Sequence, residues 1–93
     1  MDLPINYDTA SSRKRREARE MYVRNQKRLC WYCQEPLDQP PEQLVQLATI
    51  NLRLFPRGML DHPIHLHHDR RTGMTLGAVH GRCNAYLWQY KGQ

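Results

Sequence analysis

The amino-acid sequence predicts a small α+β domain held together by a bound metal as well as by its hydrophobic core. Three observations carry that expectation. A chain of 93 residues leaves about a third or more of its surface in water, so a core alone is marginal. The 3 cysteines cannot close a complete disulfide framework, and an odd set in a reducing compartment more often serves a metal. The 5 histidines all fall between positions 62 and 80, beside the most strand-like part of the chain, and small domains commonly rely on such a staple. With 40% apolar residues, 25% charged residues and a net charge of +5, the composition fits an ordinary globular chain and excludes the disordered and membrane classes. No apolar run approaches the roughly 18 residues that span a bilayer. The opening residues MDLPINYD lack the basic start and apolar stretch of a signal peptide, so the expected location is the cytoplasm, with no membrane partner.

Residues 1–10 carry Pro4, Asn6 and Asp8 without apolar periodicity and read as an irregular arm. Residues 11–28 read as a basic helix and its exit. From Ser11 to about Gln26 the chain uses good helix formers, with Ala18, Met21 and Tyr22 at i, i+3, i+4 spacing and Ser11 or Ser12 as N-cap. Arg13, Lys14, Arg15 and Arg16 then occupy the first turn, where the helix dipole disfavours positive charge. Residues 1–28 hold 8 of the 14 Lys and Arg against 4 acids. This run is either a solvated face or a surface for phosphates, and its unfavourable placement points to the second.

Residues 29–93 form the remaining unit. LCWYCQEPL, residues 29–37, has the shape of a zinc knuckle, a Cys-x-x-Cys enclosing aromatics and closed by Pro36. Pro41 at a first helical position, followed by Glu42, predicts a short helix whose buried face is Leu44, Leu47, Ala48 and Leu52. Phe55, Pro56 and Gly58 end that pattern. IHLHH, residues 64–68, alternates as a strand, with Ile64, Leu66 and His68 on one side and His65 and His67 on the other. DRRTG turns the chain, MTLGAV (74–79) returns as a second strand, and beyond Gly81 the residues Ala85, Leu87, Trp88 and Lys91 predict a closing helix with Asn84 in its first turn.

Cys30 and Cys33 form one half-site, and His80 and Cys83 repeat the same three-residue offset fifty positions later. Each short turn aims two donors at one point, as a tetrahedral zinc site requires, so these four are the expected structural zinc ligands. A redox reading of Cys-x-x-Cys needs a strand–helix context that is absent here. His62 and His65 read equally well as packed or hydrogen-bonded residues and as metal ligands. The doublet His67–His68 is different, because adjacent strand residues point to opposite faces: one imidazole can bind a metal while the other takes a proton. His68 suits a general base, since its ordinary pKa lies near neutrality.

The stretch HLHHDRRTGMTLGAVHGRCN, residues 65–84, resembles the HNH nucleases of the recombination endonuclease VII type and the small phage-encoded HNH endonucleases. The resemblance runs from Cys30 to about Trp88. It implies a ββα-metal (HNH, or His-Me finger) fold with His68 as the catalytic histidine, His67 as the preceding metal ligand and Asn84 as the motif asparagine. Thr72-Gly73 and Gly77 also match. His67 stands where the family commonly has Asp, which shifts metal preference towards transition ions. Arg70 stands where a second His is frequent, and His80 replaces a zinc cysteine. The implied activity is hydrolysis of DNA phosphodiester bonds, by nicking or double-strand cleavage, with a divalent ion (Mg²⁺, Mn²⁺ or Ni²⁺) held by His67 and by Asn84, or with Asn84 instead orienting His68 through a hydrogen bond to its backbone. Water, phosphate or Asp69 would complete its shell. His68 would activate the attacking water, leaving 5′-phosphate and 3′-hydroxyl ends. Arg70, Arg71 and Arg82, with the run at positions 13–16, would contact phosphates without reading bases, giving low sequence specificity. The expected assembly is a monomer or a transient dimer on DNA, and a phage-encoded chain would act in the cytoplasm of its bacterial host. The rival from another class is a non-catalytic zinc-stapled module that binds nucleic acid or a protein. It would not need His67, His68 and Asn84 together.

Overall fold

The computed structural model describes residues 1–93. It is a small α+β fold built on a two-stranded antiparallel sheet, β1 (Ile64–His68) and β2 (Thr75–His80), with helices α1 (Ser12–Asn25), α2 (Gln43–Leu47) and α3 (Gly81–Lys91) around it. Two 3-10 turns, Leu52–Leu54 and Met59–Asp61, lead into β1. No helix is long and apolar enough to cross a membrane.

Ser11 caps α1 by accepting from the Lys14 amide at 3.1 Å, which offsets a first turn devoid of acids. Ala18 is fully buried, and Tyr22 reaches the hairpin, its hydroxyl 2.9 Å from Thr75 Oγ1. Gln26, the C-cap, clamps Ala78 from both sides. Its carbonyl accepts from the Ala78 amide at 2.8 Å, and its amide donates to the Ala78 oxygen at 2.9 Å. Lys27 and Arg28 then take positive φ, reversing the chain so that Leu29 and Pro36 bridge and close the knuckle between them.

Several boundaries differ from those expected. Residues 1–10 are irregular and tied down: Asn6 bridges Met74, and the Thr75 amide donates to the Ile5 oxygen at 2.9 Å, which fastens the arm to the outer edge of β2. Helix α2 begins after Glu42 rather than at Pro41, and its buried residue is Val45, whereas Leu44 and Leu47 are 62% and 75% exposed. A helix of little more than one turn has no periodic face, so one inward residue suffices. The second strand runs one residue later than expected, over Thr75–His80, and α3 starts directly after it. Within the sheet Ile64 opposes His80, Leu66 opposes Ala78, and His67 opposes Gly77, with an irregularity between His67 and His68.

Only 17 of 93 residues are buried, and the main core cluster is Cys30, Leu37, Val45, Ala78, Val79, Cys83 and Tyr86. Two of these seven are prospective metal ligands, so the core and the staple are the same place.

Close approach fixes Gly81 at the β2–α3 junction. A Cβ there would lie 2.5 Å from the His62 backbone oxygen and 2.8 Å from His65 Nε2. Because a backbone atom cannot swing aside, Gly81→Ala is expected to destabilise the fold by about 1–3 kcal/mol, the usual cost of overpacking. A urea midpoint unchanged from wild type would contradict this.

Candidate metal centre and cationic cleft

The four donor atoms of Cys30, Cys33, His80 and Cys83 lie within 4.8 Å of one another. A tetrahedron of ~2.3 Å metal–sulfur bonds has edges of ~3.8 Å, so a slight contraction completes the shell. His80 Nδ1 is already 3.5 Å from both Cys33 Sγ and Cys83 Sγ. Its Nε2 donates to the carbonyls of Pro36 at 2.9 Å and Gln39 at 2.8 Å, which leaves Nδ1 bare and fixes the ring's orientation. The knuckle turn contributes amides: those of Tyr32 and Cys33 approach Cys30 Sγ at 3.4 and 3.5 Å. A hydrogen bond with Cys83 holds Cys30 down at about 4 and pushes Cys83 far above the usual thiol range, while burial raises Cys33. A dication bound among these donors would replace their protons. The donor set and geometry are compatible with structural zinc.

A second site lies along β1, which pairs only with β2. Here a cleft of about 520 Å³ is lined by Arg15, Arg16, Arg19 and Arg57, by His62, His65 and His68, and by Asn84, with no carboxylate among its lining residues. Arg15, Arg16 and Arg19 share one face of α1 at i, i+1, i+4 spacing. The chain contains a single ion pair, the exposed Arg13–Glu17 contact at 3.1 Å, so these guanidinium groups are not neutralised by acids.

His68 stands in the cleft wall, stacked on Tyr7 with ring centroids 4.0 Å apart and planes 7° from parallel. Arg15 lies 4.0 Å from the centre of the Tyr7 ring and donates through Nε to the Tyr7 carbonyl at 2.9 Å. The arm's bridge to the hairpin thus positions Tyr7 over His68. Burial chiefly lowers the His68 pKa, against a raising effect of Asp8 and with a further lowering by Arg15.

Asn84 gathers the other side. Its Oδ1 is 3.1 Å from His67 Nδ1, and its Nδ2 is 3.1 Å from His65 Nδ1. His65 and His67 therefore share a face, as the alternation predicts. His67 is 1% exposed, lies 5.3 Å from the Trp31 ring and does not itself line the cleft; Asn84 connects it to that space. His67 Nε2 is the one buried side-chain polar atom without a hydrogen-bond partner. Burial lowers both His65 and His67.

The remaining expected phosphate contacts fall in different places. Arg13 and Lys14 lie outside the cleft lining, and Arg71 is exposed on the hairpin turn. Arg70 stacks 4.2 Å over the Trp88 ring. Arg82 is corrected to a structural role: it donates to the carbonyls of Val45 at 3.0 Å, Gln46 at 3.2 Å and Ala48 at 2.7 Å, tying α2 to α3. Asp69 Oδ1 accepts from the amides of Arg71 at 2.8 Å and Thr72 at 3.3 Å, which lowers its pKa and braces the hairpin turn. Arg19 and Arg57 were not singled out by sequence; helical spacing from Arg15 identifies the first, and no local pattern marks the second. A scan against protein-family models gave no match to the chain, and searches of curated proteins and of solved structures gave none either.

Proposed function

We propose that this chain is a metal-dependent endonuclease of the HNH type, in which a zinc-stapled scaffold presents a cationic cleft to the DNA backbone. The observation that carries the reading is the cleft itself: four arginines, three histidines and no carboxylate among its lining residues, with the His68 ring in its wall. Such a surface suits a polyanion, and the imidazole suits removal of a proton from water.

In this reading His67 and Asn84, whose Nδ1 and Oδ1 atoms are 3.1 Å apart, would hold the divalent ion, which would supply charge stabilisation at the scissile phosphate and the leaving 3′ oxygen. His68 accepts the proton of the attacking water at its unprotonated ring nitrogen, and Arg15, Arg16, Arg19 and Arg57 hold the flanking phosphates. DNA is the substrate this reading assigns, and phosphate contacts of this kind read no bases, so sequence specificity is low.

The test is incubation of supercoiled plasmid with zinc-loaded protein and Mg²⁺, Mn²⁺ or Ni²⁺. Conversion to nicked or linear plasmid is the expected result. Duplex binding without cleavage under every ion would replace the proposal with a non-catalytic nucleic-acid module. The arginines have their own signature: Arg19→Ala with Arg57→Ala should reduce the slope of log affinity against log salt by about 1.8, or ~0.9 per lost phosphate contact. Fluorescence anisotropy on a short duplex measures it, and Arg13→Ala, whose side chain is paired with Glu17, should leave the slope unchanged.

A further inference from the structure

We propose that the exposed Trp31 of the knuckle, with Arg24, Lys27 and Arg28 just before it in the chain, is a second nucleic-acid site, on which an unpaired base of single-stranded DNA stacks while the three cations hold its phosphates. That the strand is DNA rests on the endonuclease reading; the platform itself stands on the geometry of the knuckle.

The two aromatics enclosed by Cys30 and Cys33 are used differently. Tyr32 is half-buried against the core, its ring 6.0 Å from that of Tyr86. Trp31 stays 38% exposed, although so large an apolar ring is ordinarily well covered. Its backbone is pinned nonetheless. The Trp31 amide donates to the Ala78 oxygen at 2.9 Å, and the Gln34 side-chain amide donates to the Trp31 carbonyl at 3.1 Å. The ring rests on bare backbone, since a Cβ at Gly77 would lie 2.7 Å from its Cγ and Cδ1. A ring held in this way loses little freedom when a base stacks on it, and every base has a π-face to offer.

Charge selects the occupant. Between Arg24 and Gln34 the chain carries three cations and no acid. All three are exposed, and none is neutralised by a carboxylate, because the single ion pair is Arg13–Glu17. Lys27 and Arg28 also hold left-handed backbone, with φ of 55° and 65°, where Gly or Asn would sit at lower cost. Long cations kept at two such positions in succession point to a use for their side chains. An apolar protein partner would leave these charges unanswered, whereas a nucleic-acid strand meets ring and charge together. None of the four residues lines the arginine cleft, so the site is separate from it; yet the Trp31 ring lies 5.3 Å from that of His67, the residue before His68.

The experiment titrates labelled oligothymidylate of about twelve nucleotides, and a blunt duplex of equal length, with zinc-loaded protein and no added divalent ion, read by fluorescence anisotropy. Trp31→Ala should weaken single-strand binding about fivefold to a hundredfold, the loss of one base's stacking, and Trp31→Phe should stay within about threefold of wild type. Duplex affinity, held by the cleft arginines, should change less than about twofold in either variant. Lys27→Ala with Arg28→Ala should reduce the single-strand slope of log affinity against log salt by about 1.4, or ~0.7 per lost phosphate contact. Of the 2 tryptophans, only Trp31 should shift its indole N–H resonance on saturation with the oligonucleotide. Equal single-strand affinity of Trp31→Ala and wild type, equal loss on both DNAs, or an unmoved Trp31 indole signal overturns the proposal. Tighter binding of oligouridylate than of oligothymidylate overturns the assignment to DNA. If Trp31→Ala loses its zinc or its cooperative melting, the wild-type indole signals and the salt slope of the Lys27/Arg28 variant decide. No cleavage is measured, so plasmid left intact under every ion refutes the endonuclease reading alone, and the binding results still decide this site.

Discussion

Stripping zinc with a chelator, or replacing Cys83 with Ser, is expected to unfold the entire domain rather than loosen one loop. The tetrad joins the knuckle after α1 to the β2–α3 junction, fifty residues further along the chain. Cys30 and Cys83 are both fully buried and sit in a seven-residue core, so each is packing material as well as a prospective ligand. Structural zinc in finger peptides binds with apparent energies of about 10–16 kcal/mol, and an ordinary domain has a total stability of only about 5–15 kcal/mol. A core this small cannot make up that difference. Cys30→Ser should behave like Cys83→Ser, because either change leaves a three-donor site and a buried hydroxyl. Circular dichroism melts paired with metal analysis check the result: cooperative melting lost with the zinc supports the staple. A Cys83→Ser protein with wild-type melting and zinc content would falsify it.

The staple was legible in the sequence because its signal is local. Two pairs at the same three-residue offset, with one His replacing the fourth Cys, need no knowledge of the fold, and the structure brings all four donors together. Helix α1 and strand β1 were legible for the same reason, since capping and alternation act over a few residues. Contacts made by backbone atoms left no trace. The arm joins β2 through the Ile5 and Tyr7 main chain, so nothing in its side chains announced that Tyr7 would cover His68. Charge was the most misleading feature. Sequence neighbourhood placed Arg82 near the site, yet its guanidinium serves the last carbonyls of α2, whereas Arg57, remote from every motif, lines the cleft. A long flexible cation reports its position in the chain much more reliably than the position of its charge. Asp69 shows a related difficulty. Its carboxylate can serve a metal or a turn, and in the structure its Oδ1 serves the amides of the following turn.

His68→Ala is expected to lower the rate of plasmid cleavage by about 10²–10⁴-fold, the usual contribution of a positioned general base. The loss should appear in the rate at saturating protein, with duplex affinity nearly unchanged, because the four cleft arginines remain. Geometry separates this variant from a merely destabilised one. His68 is half-buried at the end of β1 and belongs to neither the core cluster nor the tetrad, so zinc content and melting should stay close to wild type. Tyr7→Leu offers an internal comparison: it removes the ring stacked on His68 and leaves the imidazole in place. Its rate should fall between wild type and His68→Ala, since a less constrained base spends less time aligned with the attacking water. The arginine variants should show the opposite pattern, weaker binding that recovers at low salt and an intact rate once DNA saturates. Equal cleavage by His68→Ala and wild type under every divalent ion would remove His68 from the chemistry, and the proton acceptor would then have to be sought among the other histidines of the same cleft, His62 and His65.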